Sequence, residues 1–300
     1  TVALYSARYI KSEETTTNSF HLVTDISDNL ISEVYFSTKE TMTDQISPAG
    51  QNMPNITIDE AFGYEFVAGP DIFRMANDLD TETTFFKAKL TYYQNDHKVT
   101  AGFENSVYDT YNVFIVDEDG SYEFDDLAAV QSGSFSSYSA AGTKTGNVAD
   151  GAADFEYELQ SMYIMDEYSM SDRVTLTFGL RHDEYSGDDT PTNASFLNTY
   201  GFKNGGIKGT DLTTYRFGAD IVLDDLSDLN VTYGTYSAKL PNVWISNAYT
   251  NTGTLTANYD SDFGNCPSTG QFSDFSFTGS NTKPDCVIAS ISDPANVSGK

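Results

Sequence analysis

Apolar and polar residues alternate singly along much of this chain, in runs linked alternately by short turns and long polar stretches. That rhythm limits the possible folds more than any other feature. In residues 173–183, Val174, Leu176, Phe178 and Leu180 form one side, and Thr175, Thr177, Gly179, Arg181 and Asp183 the other. A two-residue period of this kind is the mark of a β-strand with unlike faces. The pattern recurs at 212–223, where Tyr215, Phe217, Ala219, Ile221 and Leu223 oppose Thr214, Arg216, Gly218 and Asp220, and again at 83–93 and 98–105. Nine strands are predicted, at 2–10, 18–26, 30–38, 83–93, 98–108, 155–167, 173–185, 212–223 and 229–238. The links Ser27-Asp28-Asn29, Gln94-Asn95-Asp96-His97, Ser169-Met170-Ser171-Asp172 and Asp224-Asp225-Leu226-Ser227-Asp228 have the side chains of tight turns. The remaining connections, about 39–82, 109–155, 186–211 and 239–300, are long and polar.

Short turns at one end and long loops at the other describe an all-β, antiparallel transmembrane β-barrel of the outer-membrane type, with short periplasmic turns and long extracellular loops. Sandwiches and propellers tend to use short links at both ends. Polar strand faces bearing Arg, Asp, Glu, Lys and Thr suit a watery or plugged lumen. Tyr92, Tyr93, Tyr163 and Tyr168 lie near the turns, as interfacial aromatics do, although β-propensity alone also places Tyr in strands. Nine is an odd count, the chain opens in a strand, and it closes in a loop, so the expectation is part of a larger barrel. Within 109–155, Val113–Val116 and Ser121–Phe124 are expected to flank a small hairpin over Asp117-Glu118-Asp119-Gly120.

Composition removes several function classes. Against 44 Asp+Glu there are 16 Lys+Arg, a net charge of −28, which leaves no basic cluster for nucleic acid. Aromatic residues at 14% argue against a disordered acidic chain. No run is apolar enough for a membrane-crossing helix. No signal sequence follows Thr1, so any leader is expected to have been removed or to lie outside these residues. The two cysteines, Cys266 and Cys286, sit in a polar loop and read as a disulfide formed in an oxidising compartment. His21, His97 and His182 are scattered, so neither a metal site nor a catalytic arrangement is expected, and no cofactor is implied.

The candidate functional residues follow from the alternation. Arg181, Asp183, Arg216 and Asp220 lie on polar strand faces, and Glu156 and Glu158 are expected to share them. Together they make a lumen-facing polar set, read as ion pairing within the lumen or as substrate guidance. Trp244, Tyr249, Tyr259, Phe263 and Phe272 in the last long loop are candidates for gripping a ligand or for packing that loop on itself. The acids Asp117-Glu118-Asp119 and Asp188-Asp189 lack the full spacing of a calcium loop and read as solvated. The sequon matches at Asn55, Asn193, Asn230 and Asn296 are read as chance.

The run from Tyr163 to Asp183 adds a family resemblance. Its Asp166-Glu167-Tyr168, the short turn, and then Val174-Thr175-Leu176-Thr177-Phe178-Gly179-Leu180-Arg181-His182-Asp183 resemble a hallmark strand–turn–strand of TonB-dependent outer-membrane receptors, with His182 where an aromatic is commoner. Tyr215-Arg216-Phe217-Gly218, the Tyr233-Gly234 pair and His97-Lys98-Val99-Thr100-Ala101-Gly102-Phe103-Glu104 are similar to further strands of that family, and its Oar-like branch is the nearest match. The resemblance implies a barrel of about 22 strands with a plug, of which this chain would be one portion without the plug. It implies surface recognition and uptake of a small ligand, glycan or peptide, driven by the inner-membrane TonB complex. The setting would be the outer membrane of a Gram-negative bacterium, against lipid and lipopolysaccharide, with loop acids bridged by divalent ions or suited to high salt. The alternatives are a passive porin and a soluble or surface-attached β-sandwich of structural or adhesive role. An enzyme is the least favoured class.

Overall fold

The structure is a computed structural model that describes residues 1–50, 52–188, 197–198, 200–202, 205, 207–250, 255–259, 266–277 and 282–293. Eight long strands form one antiparallel sheet: β1 (Ile10–Ser27), β2 (Leu30–Ile46), β3 (Ala76–Gln94), β4 (His97–Ile115), β5 (Ala153–Ser171), β6 (Val174–Gly187), β7 (Asp211–Asp224) and β8 (Ser227–Gly234). They lie side by side in chain order, an up-and-down meander. The four tight turns fall where the sequence places them. At the β3–β4 turn, Asn95 takes the left-handed conformation (φ +52°), which matches the strand twist.

Two features differ from the sequence reading. The count is eight, because residues 2–10 do not make a strand of this sheet. Ser6 and Arg8 interrupt its apolar row, Tyr5–Ala7 forms a 3₁₀ turn, and Val2–Ala3 pairs in parallel with Phe66–Val67. Ser6 is tied to the loop end, its hydroxyl accepting the Gly69 N–H at 3.1 Å and its carbonyl accepting the Ser47 hydroxyl at 3.0 Å. The strands are also longer than the alternation shows: β3, β4 and β5 have 19 residues each. At ~3.3 Å per residue such a strand reaches roughly 60 Å, about twice a hydrocarbon core of ~30 Å. The added length, 39–46, 76–82 and 109–115, mixes Asp, Glu, Thr and Asn with apolar residues in no regular order, so no sustained alternation reveals it.

Near the turns the two faces are chemically opposite. Phe36, Phe86, Leu90, Ile164, Leu180, Phe178 and Phe217 lie on one face, and these large apolar side chains are substantially exposed (Ile164 52%, Leu180 51%). Asp166 on that face accepts from the His97 ring at 2.9 Å, and His97 stacks on Tyr168. Nearer the loop end the same face turns acidic: Glu40, Glu82, Asp109 and Glu156 stand in register on four successive strands.

At the loop end the long connections fold into a head of their own. A second sheet runs in the order Val2–Ala3, Tyr64–Ala68, Asn55–Ala61, Ser121–Asp126, Ser137–Ser139. The expected hairpin of 113–116 with 121–124 is not made. Asp117 (φ +64°) and Gly120 (φ +82°) redirect the chain, and Ser121–Asp126 pairs with Asn55–Glu60 and Ser137–Ser139 instead. Helix α1 (Leu127–Ser132) starts where the Asp126 carboxylate accepts the Ala129 N–H at 2.7 Å and ends at left-handed Gly133. Helices α2 (Asn242–Thr250) and α3 (Asp285–Ser292) complete the head. Its core joins Tyr122, Phe124, Phe135, Tyr138, Val287 and Ile291, beside the Cys266–Cys286 disulfide, whose Cα atoms are 5.4 Å apart. Among the described residues no helix is long and apolar enough to cross a membrane.

Candidate functional site

The polar face carries a connected charge network at mid-sheet. Arg181 on β6 donates from Nε to Asp183 at 2.8 Å, from Nη1 to Glu104 on β4 at 2.9 Å, and from Nη2 to Ser161 on β5 at 2.7 Å. Asp183 also accepts the hydroxyls of Ser161 (2.6 Å) and Ser237 (2.7 Å). Toward β2, Glu33 accepts from Lys87 at 2.6 Å and Lys89 at 2.5 Å. The guanidinium of Arg181 lies over the Tyr163 ring, and Tyr163 lies over Gly102, where a Cβ would collide with it. A cavity of about 230 Å³ opens here, lined by Glu104, Tyr163, Arg181 and Arg216.

The predicted polar set divides in four. Arg181 and Asp183 meet. Arg216 lines the same cavity but lies over the Tyr236 ring, 5.2 Å from its centroid, with no carboxylate in ion-pair range among the described residues. Asp220 is further toward the turn and accepts from Asn230. Glu156 and Glu158 do not share this face, and the cause is a β-bulge. Ser171 pairs with Val174, but past the bulge at Ser169–Ser171 the register drops by one residue and Ser161 meets Asp183. Without the bulge Asp183 would stand opposite Met162, on the side of Glu156 and Glu158; a one-residue slip exchanges the faces. Glu158 instead accepts from Gln160 and Ser186, each at 3.1 Å, on the apolar strand face. Sequence reading missed Glu33, Lys87, Lys89, Glu104, Ser161 and Ser237. The Lys87-x-Lys89 spacing opposite a hairpin carboxylate was the available signal.

Residues past β8 fold back over the polar face toward the loop end. Lys239 places Nζ 3.6 Å from the centroid of the Tyr108 ring, and burial holds its ammonium below the ordinary lysine range. Tyr157 donates its hydroxyl to Asn242 at 2.7 Å, and Tyr249 of α2 stacks on Phe155 at 4.4 Å. Of the loop aromatics, Tyr249 is therefore buried beneath α2. Phe272 packs on Tyr122, Phe124 and Phe135 at the edge of the head core and stays 38% exposed. Trp244 is exposed (65%), and Tyr259 packs beside Tyr138. Phe263 lies outside the described residues, as do Asp189, Asn193 and Asn296.

The acids of the 117–120 turn are not solvated. Asp117 and Asp119 are buried. Asp117 Oδ2 accepts from Ser139 and, at 3.0 Å, from Ser121. Asp119 accepts from Thr282 at 3.1 Å and from the Asn52 N–H at 3.2 Å, while Glu118 pairs with Lys283 at 2.7 Å. Burial, with the nearby charge of Glu118, pushes Asp119 up to about 6, and burial raises Asp117 against the pull of its two serines. Beside this turn, between the ends of β3 and β4 and helix α2, is a cavity of about 800 Å³ that Tyr259 also lines. Among the described residues no three His, Cys, Asp or Glu side chains are placed to hold a metal ion.

The chain is similar to the ferric-catecholate import receptor Fiu of E. coli K12. In its open form the identity is 12% and the TM-score 0.43, over 75% of this chain and 35% of Fiu. In its closed form the values are 13% and 0.44, over 83% and 37%. It is also similar to the copper transporter OprC, at 14% identity and TM-score 0.39, over 73% of this chain and 30% of OprC. The chain thus spans about a third of the length of these structures. No curated protein matches it. Residues 6–252 match the family of outer membrane beta barrel domains, and the chain belongs to that family.

Proposed function

We propose that this chain forms one portion of the barrel of a TonB-dependent, Oar-like receptor, which binds a ligand at the cell surface and takes it up without chemical change. The observation that carries this reading is the unlike pair of sheet faces capped by a folded head. An exposed apolar band near the turns suits lipid, a charged face suits a water-filled or plugged lumen, and only the loop end bears a head. In this reading the turns lie in the periplasm of a Gram-negative cell and the head lies outside. Arg181, Asp183, Arg216 and Asp220 face the lumen. Energy for uptake comes from the TonB complex through a plug. The row Glu40, Glu82, Asp109 and Glu156 lies on the lipid side above the apolar band, at the height of lipopolysaccharide phosphates bridged by divalent cations.

Topology is tested on intact cells producing the full-length protein. A cysteine introduced as Phe62→Cys at the tip of the head hairpin is expected to react with a membrane-impermeant maleimide, and Asp225→Cys in the β7–β8 turn only after permeabilisation. The reverse pattern removes the orientation. Extraction into buffer without detergent removes the membrane reading. Failure of the detergent-solubilised receptor to bind TonB leaves a passive porin. In the same membranes, EDTA is expected to open the upper strand ends to protease, and unchanged protection removes the bridging ions.

A further inference from the structure

We infer that the large cavity at the loop end of the polar face binds a neutral, hydroxyl-rich ligand of the carbohydrate class. This rests on the receptor reading and names its ligand. The cavity, about 800 Å³, falls within the usual size of ligand sites. Its position suits recognition before passage. Asn77 and Asn112 come from the loop-end extensions of β3 and β4, on the face that carries Arg181 and Glu104. Asn247 and Thr250 come from α2, which folds back across that face.

Three properties of the lining select the ligand. Four carboxamides, Asn77, Asn112, Asn247 and Asn258, border the space with the hydroxyls of Ser139 and Thr250. Asn77 is held between Gln45 and the Phe73 carbonyl, Thr250 donates to the Ser246 carbonyl and Ser139 to Asp117, so Asn112 and Asn247 are the carboxamides offered to a ligand; each both donates and accepts, as a sugar hydroxyl does. Phe114 and Tyr259 add aromatic surface for the C–H faces of a sugar ring. The third property is charge. The lining holds one carboxylate, Asp117, and no Lys, Arg or His among the described residues.

Asp117 is 8% exposed, and its Oδ1 has no hydrogen-bond partner among the described residues, its other oxygen being held by Ser121 and Ser139. That oxygen is sealed from solvent, so the carboxylate acts on a bound ligand through its negative charge rather than by a direct hydrogen bond. That charge disfavours a carboxylate, phosphate or catecholate ligand, because the lining holds no cation among the described residues. Lys283, whose charge also acts on Asp117, is committed to Glu118 at 2.7 Å.

The test is calorimetric titration of the detergent-solubilised full-length receptor with short β-glucan, mannan, xylan and chitin oligosaccharides, and with oligogalacturonate as the anionic counterpart. At least one neutral oligosaccharide is expected to bind and oligogalacturonate to bind at least tenfold more weakly, about the effect of one unmatched charge. Asn247→Ala, at an exposed helix position that alanine suits, is expected to weaken binding by about tenfold or more, the worth of one or two hydrogen bonds. Asp117→Asn keeps a side chain tolerated at a left-handed position and, by removing the charge, is expected to narrow the gap to oligogalacturonate. The inference is overturned if no neutral oligosaccharide binds, if oligogalacturonate binds as well as its neutral counterpart, or if both variants bind unchanged. The maleimide and detergent experiments do not depend on these titrations, so a failure here leaves the receptor reading standing, and a failure there is seen separately.

Discussion

The sheet near its turns and the head at its loop end place the same kinds of side chain on opposite sides of their surfaces. In the sheet, Ile164 and Leu180 are about half exposed, and the charges of Arg181, Glu104 and Asp183 lie on the other face, bonded to one another. In the head, Phe124 (1%) and Val287 (0%) are interior, and the charges that go inside with them, Asp117 and Asp119, are gathered in one turn. Such a difference has a direct physical meaning. A surface that presents large apolar groups in a continuous band is built for a solvent that is not water, whereas the head must drive its own apolar groups together to stay folded in water. One chain thus obeys two solvents, with the boundary on the strands themselves, where apolar Phe86 gives way to Glu82 on the same face of β3.

The sharpest way to break this comparison is to remove an interior aromatic from the head. Phe124→Ala leaves a cavity beneath Tyr122 and Phe272 and is expected to destabilise the head by about 3–5 kcal/mol. The sheet should remain, so detergent-solubilised protein should keep its β-sheet circular dichroism while trypsin cuts within 47–75 and 116–152. If the sheet melts together with the head, the two regions are one cooperative unit and the contrast is only geometric.

The converse change is slightly smaller. Ile164→Arg puts a charge at the middle of the apolar band and is expected to cost about 2–4 kcal/mol in a bilayer. Phe62→Arg, at a head position that is 82% exposed, is expected to stay within about 0.5 kcal/mol. Urea titration of the two variants in lipid vesicles measures both. Equal costs would mean that the band does not face lipid.

How much of this was legible in the sequence depends on the range of the interactions. The sheet is local: each strand pairs with its neighbour in the chain, and alternation at 174–180 and 215–223 reports a face directly. Its loop-end extensions were hidden because the head covers them: Ala76, Val113 and Ile115 are buried with Ala141 of a distant loop, so burial there does not follow an alternation within the strand. Glu156 and Glu158 were misplaced because one bulged residue at Ser169–Ser171 exchanges the faces, and a pattern of polar and apolar letters does not record a bulge. The head was hidden for another reason. Asn55–Glu60 pairs with Ser121–Asp126, and Lys283 reaches Glu118 across 165 positions. Burial of Asp117 and Asp119 follows from these distant contacts, so a turn rich in acids reads as solvated until its partners are known. The disulfide was readable because two cysteines leave one pairing.

The smallest expected effect concerns those buried acids, and it separates the regions by pH. Asp119 is held up to about 6 in the folded head by burial and by Glu118, against about 3.9 in an unfolded chain. Between those values the folded head keeps a proton that the unfolded chain has released. Stability from this group is therefore present in full below about pH 4 and is lost as pH rises through 6. The difference is on the order of 2 kcal/mol. Acidification from pH 7 to 4 should slow trypsin-independent opening of the head, read as exchange of its amide hydrogens after correction for the intrinsic rate. Asp119→Asn fixes the uncharged form, so it should be more stable than the native head at pH 7 and should flatten the profile over this range. The amides of β5 and β6 near the turns report the sheet in the same sample, and Asp119→Asn should leave their protection as it was. A native head that opens more readily at pH 4 than at 7, with the same slope in the variant, would show that Asp119 is paired more tightly than its burial implies. The acid turn would then belong with the neutralised charges of the sheet rather than stand apart from them.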